Sequence, residues 1–178
     1  MKRGISDLIA TVLLIVITVA AVGIIYAAIM PLIRGQIETS QKCSSSGIEI
    51  DTSRGYTCDD RGKGEVSIQV QRGESDVDIV GLQLQVSGGG KSKSIEINNT
   101  LTGLDYVKEY NYTALAYNTS LSLPEKNEAR TYVINTTDPT VGITAPESVS
   151  VAPIVKIGNK NKICGISSQA PLSGSCAH

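Results

Sequence analysis

The sequence has no Trp and no Phe, and its single His is the last residue, His178. Catalytic arrangements that activate a Ser or Cys need a positioned base, and none is evident. The net charge is −1, so there is no basic excess of the kind a nucleic-acid surface requires. Aromatic content is limited to seven Tyr. Any core must be built from Val, Ile, Leu and Ala, with Tyr at its margins. Charge is also missing locally: no charged residue stands between Leu8 and Ile33.

That uncharged run of 26 residues would be roughly 39 Å long as a helix at 1.5 Å per residue. A bilayer core is about 30 Å thick and is crossed by about 20 apolar residues. Lys2 and Arg3 precede the run and predict a cytoplasmic N-terminus, with the rest of the chain outside; Arg34 opposes this weakly. A secretory signal would have a shorter apolar core and a small-x-small cleavage site. Here Pro31-Leu32-Ile33 carries the apolar character onward. A plain membrane anchor is a second reading of the same run.

The small residues Ala10, Ala20, Ala21, Gly23, Ala27 and Ala28 let helices approach closely. Thr11 and Thr18 can return their hydroxyls to backbone carbonyls. Pro31 can kink or end the apolar part.

The opening KRGISDLIATVLLIVITVAA resembles the class III signal of archaeal type IV pilins, within the adhesive-pilin subgroup; the resemblance covers about the first 30 residues. In that family a short basic leader ending in Gly or Ala is removed by a prepilin peptidase, and the apolar segment is kept. The resemblance implies a leader at 1–4, with Lys2, Arg3 and Gly4 before the cut and Ile5 as the new N-terminus.

Asp7 then has two readings. Ser6 caps the helix and Asp7 sits in its first turn, favoured by the dipole. Asp7 also stands two residues from the new Ile5 amine and could neutralise it in a filament core, in the same subunit or a neighbour. The implied partners are further copies of the chain in a helical filament, the membrane before assembly, the peptidase and the pilus assembly machinery. The implied location is the cell surface, with the precursor in the cytoplasmic membrane.

From about Ser44 the pattern changes to period two. EVSIQVQ places Val66, Ile68 and Val70 on one face, and VGLQLQV aligns Val80, Leu82, Leu84 and Val86. Gly88 to Gly90 turn the chain into SKSIEIN, a hairpin. ARTYVINT and ESVSVAPIVKIG are further strands, and Pro153 predicts an edge or a bulge for the latter. GNKNK reads as a turn into ICGIS.

The fold class is therefore α+β: a long N-terminal hydrophobic α-helix followed by an antiparallel β-sandwich of immunoglobulin-like type. The expected domains are the leader at 1–4, a filament-core or membrane-spanning helix at 5–42, and an extracellular glycosylated sandwich at 43–178.

Cys43, Cys58, Cys164 and Cys176 all follow the apolar run, and four Cys allow three pairings. The expected pairing is between sequence neighbours, Cys43–Cys58 and Cys164–Cys176, each closing a loop worth about 3 kcal/mol. None of the spacings suits a zinc site. DDRGKG at Asp59 to Gly64 lacks the spaced acids of a calcium loop. SGGGKSKS lacks the order of a phosphate loop and reads as a turn. No catalytic, cofactor-binding or metal-binding residue is assigned, and no cofactor is expected beyond covalent glycans.

Four sequons stand at Asn98, Asn111, Asn118 and Asn135. The pilin resemblance adds that the family is often N-glycosylated. Tyr106, Tyr110, Tyr112 and Tyr117 cluster in the same region. They read first as the aromatic part of the core or a support for the glycan-bearing loop, and second as a contact surface.

The reading is a structural, non-enzymatic subunit of an archaeal type IV pilus-like filament used for adhesion. The alternatives are a single-pass anchored extracellular binding domain that does not polymerise, and an anchored surface enzyme.

Overall fold

The computed structural model describes residues 3–99, 104–174 and 176. The chain divides into two compact units, Met1–Ser40 and Gln41–His178.

The first unit is helical throughout its described residues. Helix α1 runs over Arg3–Ser44, and its last turn belongs to the second unit. Val12, Leu13, Leu14, Ile15, Val16 and Ile17 are all more than half exposed. Six consecutive positions cover every face of a helix, so there is no polar side to turn to water and no apolar stripe to bury.

The helix continues through Pro31 instead of ending there. It also begins at Arg3, so Ser6 lies inside it and does not cap it, and no acid stands in its first turn. The capping reading of Ser6 and Asp7 is corrected accordingly. Arg3 and Gly4 take helical conformation, so the helix starts before Ser6. Thr18 Oγ1 donates to Ile15 O at 2.8 Å, so this hydroxyl is satisfied within the helix.

The second unit is a β-sandwich of two sheets. One sheet holds β1 (Ile48–Ile50), β2 (Cys58–Asp60), β3 (Glu65–Arg72), β6 (Val107–Asn111), β7 (Ala116–Asn118), β8 (Ala129–Asn135) and β12 (Ser173–Gly174). Its order is β12-β2-β3-β8-β6-β7, with β1 also on β3. The other holds β4 (Ile79–Gly88), β5 (Lys91–Ile97), β9 (Ser148–Ile157), β10 (Lys160–Ile163) and β11 (Ser168–Pro171). Its order is β10-β9-β4-β5, with β11 also on β9. Pairing is antiparallel except between β2 and β12, which are parallel.

The core lies between the sheets. Val66, Ile68 and Val70 of β3 and Tyr132 and Ile134 of β8 face Leu82, Leu84 and Val86 of β4, with Ile95, Ile97, Val149 and Val151. The alternation expected in 65–71 and 80–86 is thus realised, except that Val80 falls in an irregularity of register between Ile79 and Gly81. The hairpin at Gly88 to Gly90 is also realised. Gly88 pairs with Lys91, and Gly89 and Gly90 take φ of 58° and 73°, which a two-residue type I′ turn requires.

Of the two settings expected for Pro153, an edge or a bulge, it takes the second. Its strand β9 is central, with β4 on one side and β10 and β11 on the other. Proline is tolerated because it pairs with Leu82, one residue from the bulge in β4. Its carbonyl still accepts from Cys164 N at 3.0 Å. The GNKNK turn is shorter than expected: Gly158 and Asn159 turn the chain, and Lys160 already belongs to β10.

Candidate functional site

The disulfides join opposite ends of the sandwich sequence. Cys43 bonds to Cys164 and Cys58 to Cys176, with Cα–Cα distances of 5.5 and 5.2 Å. The expected pairing of sequence neighbours is therefore wrong. The reason is sheet topology. Cys58 opens β2, and β12 runs parallel beside it with Ser173 opposite Cys58, which delivers Cys176 to Cys58. Cys164 follows β10 and meets Cys43 in the last turn of α1. The bonds close separations of 121 and 118 residues. In the chain-entropy model a loop near this length gives about 4.7 kcal/mol, more than the short loops would.

The tyrosines form a row on the outer face of the larger sheet. Gln69 of β3 pairs with Thr131 of β8, Thr131 with Tyr110 of β6, and Tyr110 with Tyr117 of β7. Tyr112 lies edge-on to both Tyr56 and Tyr110, with centroids 5.1 and 5.0 Å apart. Its hydroxyl accepts from Gln69 Nε2 at 3.0 Å and shares a hydrogen bond with Thr131 Oγ1.

Burial pushes the Tyr112 phenol above its ordinary pKa, and the Thr131 hydrogen bond opposes this. Lys108 Nζ lies 5.9 Å from the Tyr117 ring centroid, within cation–π range. Tyr112 and Tyr117 are 37% and 43% exposed, so they do not belong to the core between the sheets. That aromatic place is taken by Tyr132, and Tyr106 packs at its edge. Tyr56 completes the row although it stands far off in sequence.

On the inner face of the same strands, Glu109 and Arg130 share the register of core residues and form an ion pair at 2.5 Å. Glu109 Oε2 also accepts from Ser122 N and Oγ, each at 2.8 Å. Burial works against the Arg130 charge, but Glu109 and Glu128 outweigh it and hold its pKa above the usual value. The sequence carried a signal for this pair. Glu109 is two residues from Val107, and Arg130 two from Tyr132, so both fall on the buried phase of a strand.

These residues border an open cleft of ≈ 380 Å³ whose rim includes Asn111 and Asn118. Asn118 is exposed, and Asn98, Asn111 and Asn135 are half-buried. Asn111 Oδ1 accepts from Thr113 N at 2.9 Å, and Asn135 Oδ1 accepts from Thr137 N at 3.0 Å and Thr137 Oγ1 at 2.7 Å. In both sequons the amide oxygen closes a local turn onto the sequon Thr, and the amide nitrogen is the atom a sugar would join. Thr100, the end of the Asn98 sequon, lies outside the described residues. So does Lys2; Arg3, Gly4, Ile5 and Asp7 lie in the first turns of α1.

Among the described residues no group of three or more His, Cys, Asp or Glu is placed to hold a metal ion. Helix α1 is long and apolar enough to cross a membrane, and the two disulfides fit an oxidising compartment.

No protein-family model matches the sequence, and no curated protein matches it. Among solved structures, this chain is similar to a bacterial immunoglobulin-like domain from the M. primoryensis ice-binding adhesin. The identity is 6%, the match covers 74% of this chain and 99% of that one, and the TM-score is 0.37.

Proposed function

We propose that the chain is the structural subunit of an archaeal type IV pilus-like filament that serves adhesion. The observation that carries this reading is α1. Its apolar side chains are exposed on every face, and the basic stretch Lys2-Arg3-Gly4 stands at its start, ahead of the uncharged run. Such a helix is insoluble alone and needs either lipid or a sheath of similar helices. A bundle core and a bilayer are both apolar, so the helix can pass from one to the other without meeting water.

The peptidase cuts after Gly4, and the Ile5 amine then pairs with Asp7. The sandwich lies on the filament surface, where glycans on Asn98, Asn111, Asn118 and Asn135 keep the polymer soluble. The role is assembly and contact, not catalysis.

Shearing fibres from the native cells and weighing the chain in the fibre and membrane fractions tests the reading. Enrichment in the fibres supports it. Retention in the membrane, with fibres lacking the chain, supports the anchored binding domain instead.

A further inference from the structure

Both disulfides pass over the nearest cysteine in sequence. Cys43 and Cys58 stand 15 residues apart, Cys164 and Cys176 stand 12 apart, and Cys164 comes 106 residues after Cys58. Loop closure becomes less probable as about the 3/2 power of loop length. In the unfolded chain a 43–58 bond therefore closes about twentyfold more readily than a 43–164 bond. Synthesis adds to this bias. At about 5–20 residues per second, Cys43 and Cys58 coexist for roughly 5–20 s before Cys164 is made, and disulfides form on that timescale.

The native sheets exclude the short-loop bonds. β1 and β2 both pair with β3, with Ile48 opposite Arg72 and Cys58 opposite Ser67. Five residues of β3 separate these positions, about 17 Å at 3.4 Å per residue. The chain before Ile48 continues away from Ser67: Gly47 O accepts from Gly73 N at 2.8 Å, and Ser45 O accepts from Ser75 Oγ. Cys43 thus leaves from the far end of β3, whereas a disulfide needs Cα atoms within about 7 Å. Cys164 and Cys176 are parted in the same way. Cys164 N donates to Pro153 O and Leu172 N to Glu147 O, six residues or about 20 Å apart along that strand. β12 then carries Cys176 into the other sheet, beside Cys58. Cys58 and Cys164 are buried in the folded domain, so a 43–58 bond has to be opened before the sandwich closes.

We propose that the chain folds through a 43–58 disulfide and is the substrate of a dithiol isomerase of the oxidising compartment, which reshuffles that bond into the native pair. The first oxidation takes two electrons and two protons from Cys43 and Cys58 and gives them to a disulfide oxidant. An isomerase thiolate attacks Cys43 Sγ, forms a mixed disulfide and releases Cys58 as a thiolate. The Cys164 thiolate then attacks Cys43 Sγ, forms the native bond and returns the isomerase thiolate, with no net oxidation. A second equivalent of the disulfide oxidant joins Cys58 to Cys176. The inference rests on the disulfide pairing, not on filament assembly.

The test uses the full chain, reduced and denatured, then refolded in detergent micelles with oxidised and reduced glutathione. Protein disulfide isomerase, present or absent, is the probe. Free thiols are blocked at intervals with iodoacetamide, and the linkages are mapped by mass spectrometry. The expected result is 43–58 as the most abundant early linkage, with its conversion to 43–164 and 58–176 accelerated at least about fivefold by the isomerase. Cys58→Ser with Cys176→Ser cannot form the early bond. In that chain 43–164 should form directly, at least about fivefold faster than in the parent without isomerase. A parent chain that forms 43–164 first, with 43–58 never accumulating, overturns the proposal. So does conversion at the same rate with and without the isomerase. A final product with other linkages overturns it together with the pairing itself.

Discussion

Cys43, in the last turn of α1, is bonded to Cys164, which stands 121 residues later between β10 and β11. The second bond, Cys58–Cys176, interleaves with the first. Together the two closed loops span the sequence from β1 to β12. A non-reducing peptide map should show the 43–164 and 58–176 linkages and no 43–58 peptide. Cys164→Ser with Cys43→Ser should lower the unfolding free energy of the domain by about 3–5 kcal/mol, read by chemical denaturation.

Arg130 neutralises Glu109, whose side chain is only 7% exposed. Arg130→Ala strands that carboxylate and should cost about 3 kcal/mol. Adding Glu109→Gln removes the uncompensated charge and should recover part of the loss. A double-mutant cycle by urea unfolding measures the coupling. Equal, additive losses would mean the pair is not coupled.

The alkaline limit of the sandwich should be set by tyrosine. Burial holds the Tyr132 phenol far above its ordinary pKa, and the Glu109 carboxylate adds to this. Burial raises Tyr112 less far. A group with a raised folded pKa contributes stability that is fully present below its unfolded pKa of about 10 and is lost as pH rises toward the folded value. Stability should therefore fall above about pH 10, by up to 1.4 kcal/mol per pH unit per buried phenol. Tyr132 should ionise only as the domain unfolds. Tyrosinate absorbance followed beside circular dichroism checks this, and Tyr132→Phe should flatten the limb. Tyr132→Phe also removes a hydrogen bond to Ser122 O of 2.6 Å, at a cost of about 1 kcal/mol at neutral pH.

Gly88 closes β4 against the 145–146 segment. A Cβ there would lie 1.9 Å from Ala145 O, and backbone cannot yield as a flexible side chain can. Gly88→Ala should destabilise the domain by about 3 kcal/mol or more. Gly165→Ala, where a Cβ meets nothing within 4 Å, should lie within about 0.5 kcal/mol of the parent. Thermal unfolding of the two variants side by side decides it.

The elements legible in the sequence were those governed by local rules. The β4–β5 hairpin follows from alternation and three glycines, and α1 from an unbroken apolar run. What escaped depended on contacts distant in sequence. The disulfides follow from the parallel pairing of Ser173 with Cys58, which no spacing announces. Pro153 announced an edge or a bulge, and only the irregularity in β4 beside it decides between the two. Tyr112 reads as core because the buried place is filled by Tyr132. Only the register of β6 on β8 reveals that the Tyr112 side lies outward.

The central claim is that the chain loses its leader and enters a filament through α1. Mass spectrometry of the chain's N-terminus in fibres sheared from native cells tests it most directly. An abundant chain beginning at Ile5 is the predicted result. An abundant chain beginning at Met1 or Lys2 contradicts the processing and the Ile5–Asp7 pair. Fibres without the chain contradict the filament itself.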